Sequence, residues 1–168
     1  MKKKFVILLL GMLLSQNVFS QTTQNKFGLG YQGVFLGNIS QGISGRYWAS
    51  EKLGWEGNFF TIKISDDYAD AGFYMISGKL LYASVKKENS RFYFGGEIGI
   101  GRASSDDSNE SLDLLLFSPI MGSEYHLQGL PEIGFNWDIG YRIHMFSIED
   151  YDFDIKGTTV SLGVHYYF

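Results

Sequence analysis

The clearest pattern in the chain runs from 132 to 145. Ile133, Phe135, Trp137, Ile139, Tyr141, Ile143 and Met145 alternate without a slip with Glu132, Gly134, Asn136, Asp138, Gly140, Arg142 and His144. A helix would scatter both sets around its axis, whereas a strand sends them to opposite faces. Strands of soluble sandwiches are about five or six residues long, while a tilted strand that crosses a bilayer needs about ten. The length of this run favours the second kind. The end of the chain repeats the pattern: Val160, Leu162, Val164, Tyr166 and Phe168 alternate with Thr159, Ser161, Gly163, His165 and Tyr167.

Six earlier segments carry the same signal, at 26–33, 42–49, 53–64, 73–86, 91–102 and 113–127. Two are irregular. The alternation breaks at Phe59-Phe60, which suggests a bulge. The run Leu114-Leu115-Leu116 is apolar on both faces, and Pro119 removes one ladder donor. The joints alternate in length. Those after the second, fourth and sixth segments are short (50–52, 87–90, 128–131), and those after the first, third, fifth and seventh are longer (34–41, 64–72, 103–112, 147–157). Outer-membrane barrels pair short periplasmic turns with longer outer loops. The expectation is an all-β, transmembrane, antiparallel up-and-down barrel of eight strands with both termini periplasmic.

Composition agrees. The chain has 21 glycines, 2 prolines, no cysteine and 17% aromatic residues. The lack of cysteine excludes disulfides and thiolate metal sites. Lys2, Lys3 and Lys4 precede an apolar stretch from Phe5 to Leu14, and Val18-Phe19-Ser20 ends on a small residue. This is the form of a secretory signal peptide. Residues 1–20 are therefore expected to be cleaved from a barrel domain at 21–168. Loss of the three lysines takes the formal net charge from −4 to −7. Such an acidic chain is a poor nucleic-acid binder, because phosphate contacts need clustered Lys and Arg. Much of the acid sits in the last three long joints, extended to Asp113. Asp66, Asp67, Asp70, Asp106, Asp107, Glu110, Asp113, Glu149, Asp150, Asp152 and Asp154 make one rim acidic.

The chain resembles the OmpX/OmpA-like outer-membrane β-barrel family. The resemblance rests on Gly45-Arg46-Tyr47-Trp48 with Glu51-Lys52-Leu53-Gly54, on Gly122-Ser123-Glu124-Tyr125, and on the ending Gly163-Val164-His165-Tyr166-Tyr167-Phe168. It implies that Phe168, with Tyr166, is the signal read by the barrel-assembly machinery. The chain is expected in the cell outer membrane among lipids and lipopolysaccharide, as a monomer without a cofactor.

Eight strands enclose a space that side chains can just fill. The inward register holds Arg46, Lys79 and Arg142 against Glu56, Glu97, Glu124 and Asp138, a nearly neutral set. Arg46 and Glu56 lie symmetrically about Glu51, and Lys79 and Glu97 about Glu88, so each pair is expected to face across its hairpin. A salt-bridged plug is the favoured reading, and an ion-selective constriction or narrow solute channel the alternative. Enzyme motifs are absent. His144, Ser147 and Glu149 could imitate a Ser-His-acid set at the outer rim, as in a lipid-modifying barrel enzyme, but all three histidines (His126, His144, His165) fall in the inward register. A structural or surface-interaction role is expected. The competing fold is a soluble periplasmic β-protein.

Overall fold

The computed structural model describes residues 27–35, 40–66, 69–105, 108–148 and 151–168. They form eight strands: β1 (Phe27–Val34), β2 (Ser40–Trp48), β3 (Leu53–Asp66), β4 (Ala69–Lys87), β5 (Ser90–Ser105), β6 (Ser108–Leu127), β7 (Leu130–Ile148) and β8 (Tyr151–Tyr167). Every strand pairs antiparallel with its sequence neighbour, and β1 pairs with β8 from Gly28↔Tyr167 to Val34↔Ser161. The sheet is a closed barrel. One end carries the short turns and the described chain termini, and the other carries the connections after β1, β3, β5 and β7.

The outer face is apolar because outward positions hold Ile43, Ile76, Leu80, Ile98, Ile100, Phe117 and Ile139, all exposed. Aromatic residues cluster toward the turn end, among them Tyr47, Trp55, Tyr82, Phe94 and Tyr125. Toward the loop end the band stops at outward ion pairs, Arg102–Asp113 at 2.7 Å and Lys156–Asp154 at 3.2 Å. On β5 the greasy stretch covers 92 to 100. At about 3.4 Å per residue and a tilt of about 40°, that is roughly 23 Å, close to the apolar band of a membrane barrel.

Three expectations need correction. First, the strands are longer than the alternation indicated, and the long joints correspondingly shorter. β4, β5, β6, β7 and β8 continue as paired hairpins at the loop end, so Asp66, Asp70, Glu110, Asp113, Asp152 and Asp154 lie on strands rather than in loops. Beyond the apolar band an outward face has no reason to be greasy, so the period-two signal fades while ladder pairing persists. Asp67, Asp106, Asp107, Glu149 and Asp150 lie outside the described residues.

Second, Phe59-Phe60 is not a bulge, since β3 pairs without register shift on both sides. Phe60 points inward to a buried cluster with Val34, Met75, Leu114 and Leu116. This cluster also accounts for the triple leucine: Leu114 and Leu116 face in and Leu115 faces out. Register shifts occur instead at Ala83/Val85, Ser104/Ser105 and His126/Leu127. Pro119 leaves its mark as expected: the β6–β7 ladder skips Ser118 and Pro119.

Third, the mutual placement of Lys79 and Glu97 does not make them an ion pair, as described below. Close strand packing depends on glycine at Gly30 and Gly42. A Cβ there would run into the carbonyl oxygens of Val164 and Phe59.

Candidate functional site: the polar lumen

Inward positions of a strand recur every second residue, so a closed sheet of eight strands stacks its inward side chains in tiers. The tier nearest the turn end is aromatic and centred on Glu124. Its carboxylate accepts from Trp48 Nε1 at 2.9 Å, from Arg46 at 3.2 Å and from the Tyr167 hydroxyl. His126 Nε2 stands 3.6 Å away, with its Nδ1 2.8 Å from the carbonyl oxygen of Pro131. The Arg91 guanidinium lies 4.5 Å over the Trp48 ring.

The middle tier is ionic. Arg46 Nε donates to Glu56 at 2.6 Å, and a second guanidinium nitrogen reaches the same carboxylate. Lys79 Nζ bridges Glu56 at 2.7 Å and Asp138 at 2.6 Å. Asp138 also accepts from the Tyr93 hydroxyl, from Gln32 at 3.0 Å and from Ser161 at 3.1 Å. His165 links Asn136 at 3.1 Å and Ser44 at 2.9 Å. A third tier joins Glu97 to Arg142 at 3.0 Å and to Ser77 at 2.7 Å. Above it sits the apolar cluster of Val34, Phe60, Met75, Leu114 and Leu116.

All seven charged residues singled out in the sequence point into the lumen and are buried, Arg46 and Glu124 completely. Their partners are only partly those the hairpins suggested. Arg46 and Glu56 are opposite in register and bonded. Lys79 and Glu97 are also opposite in register, yet Lys79 bonds Glu56 and Asp138 while Glu97 bonds Arg142. Long side chains in a closed barrel reach across the lumen, not only along the wall. Arg91 is the charged residue that sequence reasoning missed. It is buried, opposite Glu124 in the β5–β6 register, and adds a fourth cation to balance the four carboxylates. Its shared parity with Tyr93 and Glu97 was the available signal.

At the turn end, outside the apolar band, Lys86 holds Glu51 by a 2.6 Å bond, which keeps that carboxyl below the usual carboxylate range. Tyr166 packs edge-on against Phe168 at 5.2 Å, and Phe168 is half exposed. His144 and Ser147 face opposite sides of β7, His144 inward and Ser147 outward, and Glu149 lies outside the described residues. A triad geometry is therefore not formed by that pair. Among the described residues, no group of three or more His, Asp or Glu side chains is placed to hold a metal ion.

No protein-family model matches the chain, and no curated protein matches it. Solved structures do. Neisserial surface protein A (NspA) shares 17% identity at a TM-score of 0.52, over 86% of this chain and 96% of NspA. The N-terminal β-barrel domain of Pseudomonas aeruginosa OprF shares 12% at 0.58, over 86% and 98%. A major outer membrane protein from Thermus thermophilus shares 12% at 0.53, over 86% and 99%. The fold is that of the eight-stranded outer-membrane barrels of the OmpA/OmpX type. On the inner wall of this eight-stranded barrel the buried ion pairs lie between an aromatic tier and an apolar one.

Proposed function

We propose that the chain is a non-enzymatic surface barrel of the outer membrane, exported by residues 1–20 and closed to solutes. The observation that carries this reading is the middle tier. Arg46, Glu56, Lys79 and Asp138 are no more than 2% exposed and form one bonded series, Arg46–Glu56–Lys79 along the wall and Lys79–Asp138 across the lumen. Breaking such a network to admit an ion would strand buried charges. The turn end with the termini faces the periplasm, and the loop-end hairpins meet lipopolysaccharide or other surfaces. Phe168 serves assembly. The apolar outer band and the shared fold support the membrane setting, and the likeness to NspA, a surface protein, supports the outward-facing one.

The test is conductance of the folded protein in planar bilayers. We expect no stable conductance steps at neutral pH. A reproducible open state of uniform size would replace the plug with a narrow channel.

A further inference from the structure

Most polar atoms of the lumen have partners; single exceptions occur at Gln32 Oε1 and Asn58 Oδ1, and three more gather on the inner wall of β7 and β8 near the loop end. Arg142 Nε, His144 Nδ1 and Thr159 Oγ1 are buried without a hydrogen-bond partner. Arg142 and Thr159 are only 5% and 4% exposed. The three positions surround one residue. Gly157 is opposite Arg142 in the β7–β8 register, Thr159 follows it by two positions on the same face, and His144 is opposite Ile155. Gly157 itself presents open space, since a Cβ there would meet nothing within 4 Å.

The surroundings are apolar. Phe146 stacks on Phe153 at 5.0 Å, and His144 stacks on Phe146 at 6.1 Å. Ile155 is 53% exposed although it faces inward. On the other side of β7, Leu116 is opposite His144. A buried donor without an acceptor is costly, so such a niche favours a molecule that supplies one.

We propose that the Gly157 niche binds a small neutral molecule with an apolar body and a terminal oxygen acceptor, such as an alcohol or ketone. Arg142 Nε can only donate, and the Thr159 hydroxyl can donate beside it. The ligand is neutral because the Arg142 charge is already met by Glu97 at 3.0 Å. The apolar body lies against Phe146, Phe153 and Ile155. This site is independent of whether the lumen conducts.

The test uses the folded chain in lipid nanodiscs, with amide shifts of Ile155, Gly157 and Thr159 followed by NMR. Benzyl alcohol, toluene and benzoate serve as probes. We expect saturable shifts with benzyl alcohol, and binding weaker by about tenfold for toluene, the equivalent of one lost hydrogen bond. Benzoate should also bind more weakly. Gly157→Leu fills the niche and should abolish the shifts. Thr159→Val, nearly isosteric, should weaken benzyl alcohol and leave toluene unchanged. Equal binding of toluene and benzyl alcohol would overturn the proposal, as would tightest binding of benzoate, persistence of the shifts in Gly157→Leu, or no response to any probe, which would leave a niche for water alone.

Discussion

Lys79 offers the sharpest test of the lumen network. Its Nζ touches Glu56 at 2.7 Å and Asp138 at 2.6 Å, while Glu97, directly opposite in register, is held by Arg142 and Ser77. Lys79→Met keeps the stem and removes the charge. Removing one member of a buried pair costs about 3–5 kcal/mol because the other charge is orphaned. Here Asp138 keeps Tyr93, Gln32 and Ser161 as donors and Glu56 keeps Arg46, so the lower end, about 3 kcal/mol, is expected. Asp138→Asn should cost a similar amount. The double variant should cost less than the sum by about 1–3 kcal/mol, as contacting residues couple. A second cycle with Glu97→Gln should show the smaller coupling. Urea unfolding in detergent or lipid vesicles, followed by tryptophan fluorescence, reads both cycles. Additive effects for Lys79 and Asp138, or stronger coupling of Lys79 to Glu97, would refute the cross-lumen pairing.

Two further outcomes are expected. Ile139→Arg places a charge on the outward face in mid-strand and should destabilise by about 2–4 kcal/mol in lipid, measured by the same unfolding assay; wild-type stability would show that this face does not meet lipid. Deleting Phe168 should reduce the heat-modifiable, folded fraction in outer-membrane preparations without reducing export, and an unchanged folded fraction would remove its assembly role.

The strands through the apolar band were legible because each has two different environments on its two faces. Ile139 lies on the apolar outer face and Asp138 in the polar lumen, so their alternation is strict. Beyond the band both faces meet water or protein, and Arg102, Asp113, Asp154 and Lys156 carry no period-two signal even though their ladders continue. Lumen charges were legible as polar residues in the inward register. Their partners were read only for Arg46 and Glu56, which one hairpin brings together; Glu56 and Lys79 also face each other across the β3–β4 hairpin, whose longer joint hid that register. Arg46–Glu124 and Lys79–Asp138 join strands that are not neighbours in the barrel, and the stagger that aligns them is set by closure. Phe60, Leu114 and Leu116 looked like defects because they are apolar where a polar lumen was expected, although their parity with Glu56 and Glu124 marks them as inward.

The strand lengths give the barrel a mechanical grain. β1 has 8 residues and β2 has 9, against 19 or 20 in β4, β6 and β7. The β1–β8 seam is thus among the shortest ladders, and load applied across the wall would concentrate there. Two of the stitches over it are neutral: Gln32 reaches Ser161, and His165 of β8 reaches past β1 to Ser44 of β2, while Gln32 also donates to the Asp138 carboxylate of β7. Salt, which screens exposed ion pairs, has little purchase on such bonds. A barrel that tears at this seam would unroll as one wide ribbon with its seven hairpin ladders still paired, and re-closing would have to restore the β1–β8 ladder together with the cross-lumen bonds of Arg46, Lys79 and Arg142.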